Sequence, residues 1–305
     1  MSVGVRWHVE ADGKILPFTR GTSMYTVTDG LIQKGFDVPE PTIKAGNLSL
    51  KILETASSII AEPSRGLVWI AWLAYCYFLF LSDLTPGLNA LQLDPGTWKE
   101  VADLSLNFWL VLPILTPESA PLLHPGLEGI FNLVIVWAAL FWGFAADGRS
   151  PRGSFLPTLG IMQFLTNAAF LPYLATRQSE KHGVVVAIDE LSAAEKIGES
   201  RGVPLLFGIV GTLCIAWALY GRPEFGDIPT RFNSLVSDHI SKDRLSFSFC
   251  VDICYYAVFQ GWLVGDDLKR RGADEYLGSS VARFVPFYGL IYYLLTRPPL
   301  RSSQN

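Results

Sequence analysis

From position 67 onward the chain is a series of long apolar runs set apart by short polar breaks. Seven runs stand out: 67–81, 101–116, 127–146, 155–174, 204–220, 245–264 and 281–295. About 20 apolar residues suffice to cross a bilayer as one helix. None of the runs shows the period-2 alternation of a barrel strand, so only helices fit. Thr85-Pro86-Gly87, the proline-rich stretch 117–125 and Asp147-Gly148-Arg149 supply breaks between them. Pro113 lies near the end of the second run, and Pro172 predicts a kink in the fourth. The pattern predicts an all-α fold, a polytopic integral membrane helical bundle of about seven transmembrane helices over residues 66–297, followed by a tail at 298–305.

Residues 1–65 read as a polar, irregular region. Within it, 47–60 fits an amphipathic helix lying on the membrane surface, or equally a solvated helix or an extended tail. The longest loop, 176–202, predicts a short solvated helix at 187–199. No apolar leader follows Arg6, and Glu10, Asp12 and Glu40 speak against a transit peptide. The expected location is therefore an internal membrane, the endoplasmic reticulum. With seven crossings, Lys and Arg fall almost evenly on the two sides, so the positive-inside rule gives no orientation.

Composition sharpens the class. Half of the residues are hydrophobic (50%), only 17% are charged, and mean hydropathy is +0.31. Soluble domains carry about 25% charged residues. A net charge of -4 implies no nucleic-acid partner. Membrane lipid and a lipophilic small molecule are the expected partners. Cys76, Cys214, Cys250 and Cys254 all lie in apolar runs and read as small buried hydrophobes. The four histidines are scattered, so neither a metal nor a cofactor is expected. Asp266 and Asp267 resemble part of an Asp-rich diphosphate motif. Lys269, Arg270 and Arg271 follow at once, which favours a charge cluster at the water interface.

The chemistry lies in polar residues inside the runs. Asp103 and Asn107, Glu128 and Asn132, Gln163 and Asn167, and Asp252 and Tyr256 are each four positions apart, hence on one helical face. Thr166 sits beside the third pair, and Trp142 roughly shares the face of Glu128. Polar stripes in a bundle turn inward, because lipid cannot satisfy them. Asn107 and Gln163 suit hydrogen bonds between helices. Asp103 and Glu128 lie near helix starts, where an acid also complements the dipole. Asp252 lies well inside its run, and Tyr255, Tyr256 and Phe259 lie on or beside its face. A lone acid among rings tends to stay protonated and can donate a proton. Aromatic faces can then stabilise a cation. Those two properties suit acid-initiated cyclisation of a prenylated chain. Asp252, Glu128 and Asp103 are the candidate catalytic acids. Asn132, Trp142, Gln163, Asn167, Tyr255, Tyr256 and Phe259 are the candidate substrate-binding residues.

This layout, with intramembrane acids among aromatics over roughly residues 65–297, resembles the fungal integral-membrane terpene cyclases of meroterpenoid pathways such as those of ascofuranone and macrophorin. The resemblance implies a metal-independent cyclase acting on a lipophilic substrate. The stretches HPGLEGIFNL (124–133) and MQFLTNAAFLPYL (162–174) also resemble uncharacterised membrane proteins of plastids and algae. A proton-coupled transporter and a non-catalytic assembly protein are the alternatives, since intramembrane acids also serve proton coupling.

Overall fold

The computed structural model describes residues 1–8, 10–11, 14–15, 20–39, 63–92, 95–149, 155–177, 187–273 and 276–300. They belong to two compact units, Met1–Ala61 and Glu62–Asn305. The helix expected at 47–60 lies outside the described residues.

The first unit corrects the all-α expectation. Strands β1 (Ser2–Trp7), β4 (Gly21–Thr28) and β5 (Leu31–Pro39) form an antiparallel sheet in the order β1-β4-β5. A small ladder pairs β2 (Glu10–Ala11) with β3 (Lys14–Ile15). Asp29 and Gly30, both at positive φ (53° and 76°), make the two-residue turn that joins β4 to β5. An Asp-Gly pair is a strong hairpin signal, because the turn matching strand twist needs positive φ at both positions. On one face the Trp7 indole covers Gly21 and donates to Ser23 Oγ at 2.9 Å. Any Cβ at position 21 would fall within 2.3 Å of that ring.

The second unit is helical. Its elements are α1 (Pro63–Cys76, continued by a π turn Tyr77–Leu81), α2 (Pro95–Leu106), α3 (Val111–Leu115) and α4 (Pro125–Leu140, continued by a 3-10 turn Phe141–Asp147). Then come α5 (Leu156–Thr176), α6 (Ala193–Glu199), α7 (Gly202–Tyr220), α8 (Ile228–Ser234), α9 (Arg244–Arg270), α10 (Ser279–Phe284) and α11 (Tyr288–Thr296). Local chemistry sets several ends. Asp243 caps α9 by accepting the Ser246 N–H at 2.6 Å, and Lys269 and Arg270 close its last turn. Pro125 opens α4, and His124 Nδ1 accepts the Gly126 N–H. Ser192 and Glu195 form a capping box on α6.

Among the described residues, four helices are long and apolar enough to cross a membrane: Ser64–Leu81, Pro125–Asp147, Gly202–Tyr220 and Arg244–Arg270. They correspond to the first, third, fifth and sixth expected runs. The other three runs are not single helices, which corrects the expected count of seven. The second breaks after Asn107, where Trp109 and Leu110 both take left-handed φ (59° and 57°). The seventh breaks between α10 and α11, at Phe287 (φ 60°). The fourth reverses at Thr166 (φ 40°, ψ -122°) rather than kinking at Pro172. The reversal follows from one contact. The Phe155 and Tyr173 rings stack with centroids 4.3 Å apart. A straight helix would separate those positions by roughly 27 Å. α5 is therefore a helical hairpin.

Helix α4 is the hub. Val134, Trp137, Ala138, Leu140, Phe141 and Phe144 are all buried. Small residues let its neighbours approach closely. A Cβ at Gly129 would meet the Cys214 carbonyl of α7 at 2.7 Å. The helix expected at 187–199 forms over Ala193–Glu199, yet Gly198 packs on Trp142 and Glu199 joins an ion-pair network. It is docked on the bundle rather than solvated all round.

Candidate functional site

Asp252 occupies the inner face of α9 and is 1% exposed. Two neutral donors converge on its Oδ1: the Tyr75 hydroxyl of α1 at 2.8 Å and the Asn167 amide of α5 at 2.7 Å. Tyr75 OH also lies 3.2 Å from Thr166 Oγ1. The α5 reversal thus delivers Thr166 and Asn167 to the carboxyl, and Asn167 also reaches the Asp252 carbonyl at 3.3 Å. Rings enclose the group. Tyr255 lies edge-on to Tyr75 at 5.3 Å and beside Phe259 at 6.2 Å. Tyr256 meets Trp137, Phe141 and Phe170 at 6.1, 5.4 and 6.0 Å. The Tyr256 hydroxyl, the Trp137 indole N–H and Asn167 Oδ1 are buried without a hydrogen-bond partner among the described residues.

The structure brings Asp252, Asn167, Tyr255, Tyr256 and Phe259 together, and it seats the other candidates elsewhere. Glu128 is fully buried in a separate cluster. Arg222 clasps both its oxygens at 2.9 and 2.8 Å, and the Trp217 indole donates to Oε2 at 2.8 Å. The Asn107 amide completes the set on Oε1. Asn132 works on the backbone: it accepts the Trp109 N–H and donates to the Asn107 carbonyl at 3.1 Å. Asp103 pairs with Lys99 at an exposed site. Gln163 donates to Leu159 O at 3.3 Å within its own helix. Trp142 donates to Ala194 O at 2.9 Å.

A rule connects these amides. Each break in a helix frees backbone groups that, where buried, must be satisfied inside the protein. Asn132 satisfies the break at 107–110. Gln260 on α9 satisfies the break between α10 and α11: its amide donates to the Ala282 and Val285 carbonyls at 2.9 Å each, and its oxygen accepts the Phe287 N–H at 3.2 Å. The sequence reading missed Gln260, although its position inside an apolar run and Pro286 in the facing one were visible.

A second feature was missed. Where α4, α9 and α11 end, Asp147, Asp266, Asp267 and Glu199 interlock with Arg149, Arg177, Arg270, Arg271 and Arg297. Asp267 accepts from Arg271 Nε at 2.8 Å and from the Tyr293 hydroxyl at 2.7 Å. Asp266 and Asp267 thus belong to a charge cluster, as their sequence context suggests, and are buried as partners of arginine. Among the described residues no three His, Cys, Asp or Glu side chains gather as a metal site would require.

The buried acids now separate cleanly. Glu128, Asp147, Asp266 and Asp267 each face a guanidinium. Asp252 alone among them has only neutral hydrogen-bond partners. Comparisons with known proteins add nothing to this geometry: no family model, curated protein or solved structure matches the chain.

Proposed function

We propose that the chain is an integral membrane protein whose working group is Asp252, a proton donor that starts ring closure of a prenylated lipophilic substrate. One observation carries the reading: among the described residues, Asp252 is the buried acid left without a cation. A paired carboxylate is already stabilised as an anion and gives up no proton. An unpaired one inside an apolar bundle is costly and marks function by default. Tyr75 and Asn167 fix Oδ1, which leaves Oδ2 to carry the proton. Proton transfer to an epoxide oxygen or an alkene carbon generates a cation on the substrate. The next double bond supplies the electron pair that closes the ring. Return of a proton from the final cation to the Asp252 carboxylate restores both groups, so the overall step is an isomerisation. Tyr255, Tyr256, Phe170 and Trp137 offer ring faces to the positive charge. The endoplasmic reticulum is the compartment this reading expects.

Proton-coupled transport is the second reading. The helix reversal at Thr166 favours it, because transporters build midplane sites from interrupted helices. Purified protein in detergent, offered a farnesylated epoxide, tests the first. The unmodified chain should form cyclic product. Asp252→Asn keeps the shape but removes the acid, so it should accumulate normally and make none; Asp252→Glu should retain part. Near-normal turnover by the Asn variant overturns the assignment. No product from the unmodified chain, with Asp252-dependent proton uptake into vesicles, moves the assignment to transport.

A further inference from the structure

We infer that the helical unit threads the bilayer four times, that α5 and the α10–α11 pair re-enter from the same face, and that this face is the cytoplasmic one. The inference rests on the membrane reading above and adds orientation and topology to it.

Contacts along α9 order the layers. Arg244, at its start, donates to Leu79 O at the end of α1 at 3.0 Å. Asp252 meets Tyr75, and Tyr255 reaches Ala71 O at 3.4 Å. α1 therefore runs antiparallel to α9. Phe131 against Phe249, and Arg270 against Ala146 O, make α4 parallel to α9. Trp217 and Arg222, after most of α7 has passed, reach Glu128 at the start of α4, so α7 is antiparallel to α4. The four helices alternate in direction, as four successive crossings must.

Of the three remaining apolar runs, 101–116 is held at its break to the start of α4 by Asn107 on Glu128, and the other two do not cross. Arg149 before α5 and Arg177 after it both bind Asp266, at 3.3 and 3.1 Å. Both ends of α5 therefore lie at the arginine-rich end of the bundle. Its tip, Thr166 and Asn167, lies beside Asp252, roughly 21 Å away from Asp266 along α9. The second hairpin repeats the plan. The Tyr276 ring lies 5.9 Å from Tyr293, and Arg271 and Arg297 at its two ends share Glu199. Its tip, Phe287, lies 5.7 Å from the Trp137 ring and takes its cap from Gln260. The tips look outward as apolar surface: Phe164 is 76% exposed and Phe284 is 72% exposed. Such residues at a tip fit hydrocarbon, not water.

This topology redistributes charge. Six Lys or Arg lie between 148 and 201 and five more at 269–271, 297 and 301, all assigned to one side; Arg283 lies within the second hairpin. One lies between 82 and 124 and four between 221 and 244, assigned to the other. Counted over seven crossings the two sides balance; counted over four they do not. Loops rich in Lys and Arg stay in the cytoplasm.

Single cysteines at the exposed positions Leu91, Glu224, Glu190, Leu277 and Pro299 test the inference in sealed vesicles whose cytoplasmic face is turned inward, with an impermeant maleimide. The unmodified chain, whose own cysteines lie in α1, α7 and α9, sets the background. Leu91→Cys and Glu224→Cys should label from outside. Glu190→Cys, Leu277→Cys and Pro299→Cys should label only after permeabilisation. Glu190→Cys labelling together with Leu91→Cys would make α5 a crossing and overturn its hairpin. Leu277→Cys and Pro299→Cys on opposite faces would overturn the second. The full mirror-image pattern would overturn the orientation alone. Labelling of all five without permeabilisation, with release by alkaline carbonate, would remove the membrane reading itself.

Discussion

At the scale of single residues, a buried acid means nothing until its partners are known. Glu128 and Asp252 each sit in an apolar run with a polar residue four positions on, Glu128 in the first turn of its helix and Asp252 deep inside. What separates them is Arg222, 94 positions from Glu128 and just past the end of another helix. No local pattern announces a contact at that range. Arg222 itself takes left-handed φ (49°) to reach it. Removing one partner of a buried pair strands the other charge, at about 3–5 kcal/mol. Arg222→Met should therefore lower thermal stability in detergent sharply, and adding Glu128→Gln should recover most of the loss. Equal stability of the single variant and the parent would mean that the pair is not formed. The position of Asp252 was legible because nothing local explains an acid so deep in its run.

At the scale of elements, the breaks decide the architecture, and only some were visible. Asp29-Gly30 and Pro286 are ordinary signals that the apolar reading passed over. Trp109, Leu110 and Thr166 are not signals at all: none is Gly or Pro, and their left-handed or distorted backbone is held by tertiary contacts. Gln260 shows how such a break is maintained. Gln260→Leu leaves the Ala282 carbonyl and the Phe287 N–H unmade, each costing about 1–3 kcal/mol when buried, while Val285 O keeps the Gly289 N–H. It should cost far more thermal stability than Gln163→Leu, which removes one contact to a carbonyl of its own helix; matched melting curves of the two variants would check this. The start of α4 has its own sensitivity. Burial lowers the His124 pKa from its usual 6.5 to about 4, with His239 and Arg231 adding repulsion. Its Nδ1 must stay unprotonated to accept the Gly126 N–H. A folded-state pKa below the unfolded one gives stability that is full above pH 6.5 and is lost as the pH falls through about 4. His124→Asn should flatten that acid limb, as read from melting temperature against pH.

At the scale of the whole molecule, helix content and apolar character were readable, whereas the number of helices long enough to cross a membrane was not. Hydropathy measures length and composition, and a hairpin of two half-length helices has the same composition as one crossing helix. The reversal of α5 needs a single residue, so the run 155–174 remains apolar throughout. The ion-pair network at the end of α4 and α9 gathers both hairpins. Arg177 follows α5 and holds Asp147 and Asp266; Arg297 follows α11 and donates to Gly143 O and Gly198 O. This gives the network a consequence for biosynthesis. Every group that Arg297 ties together is translated before it, Gly143 by 154 residues and Gly198 by 99. Until Arg297 is made, the Gly143 and Gly198 carbonyls and part of the Asp267 carboxylate lack this donor. The helices can thus form in turn, while the shared end of α4 and α9 is locked by one late arginine.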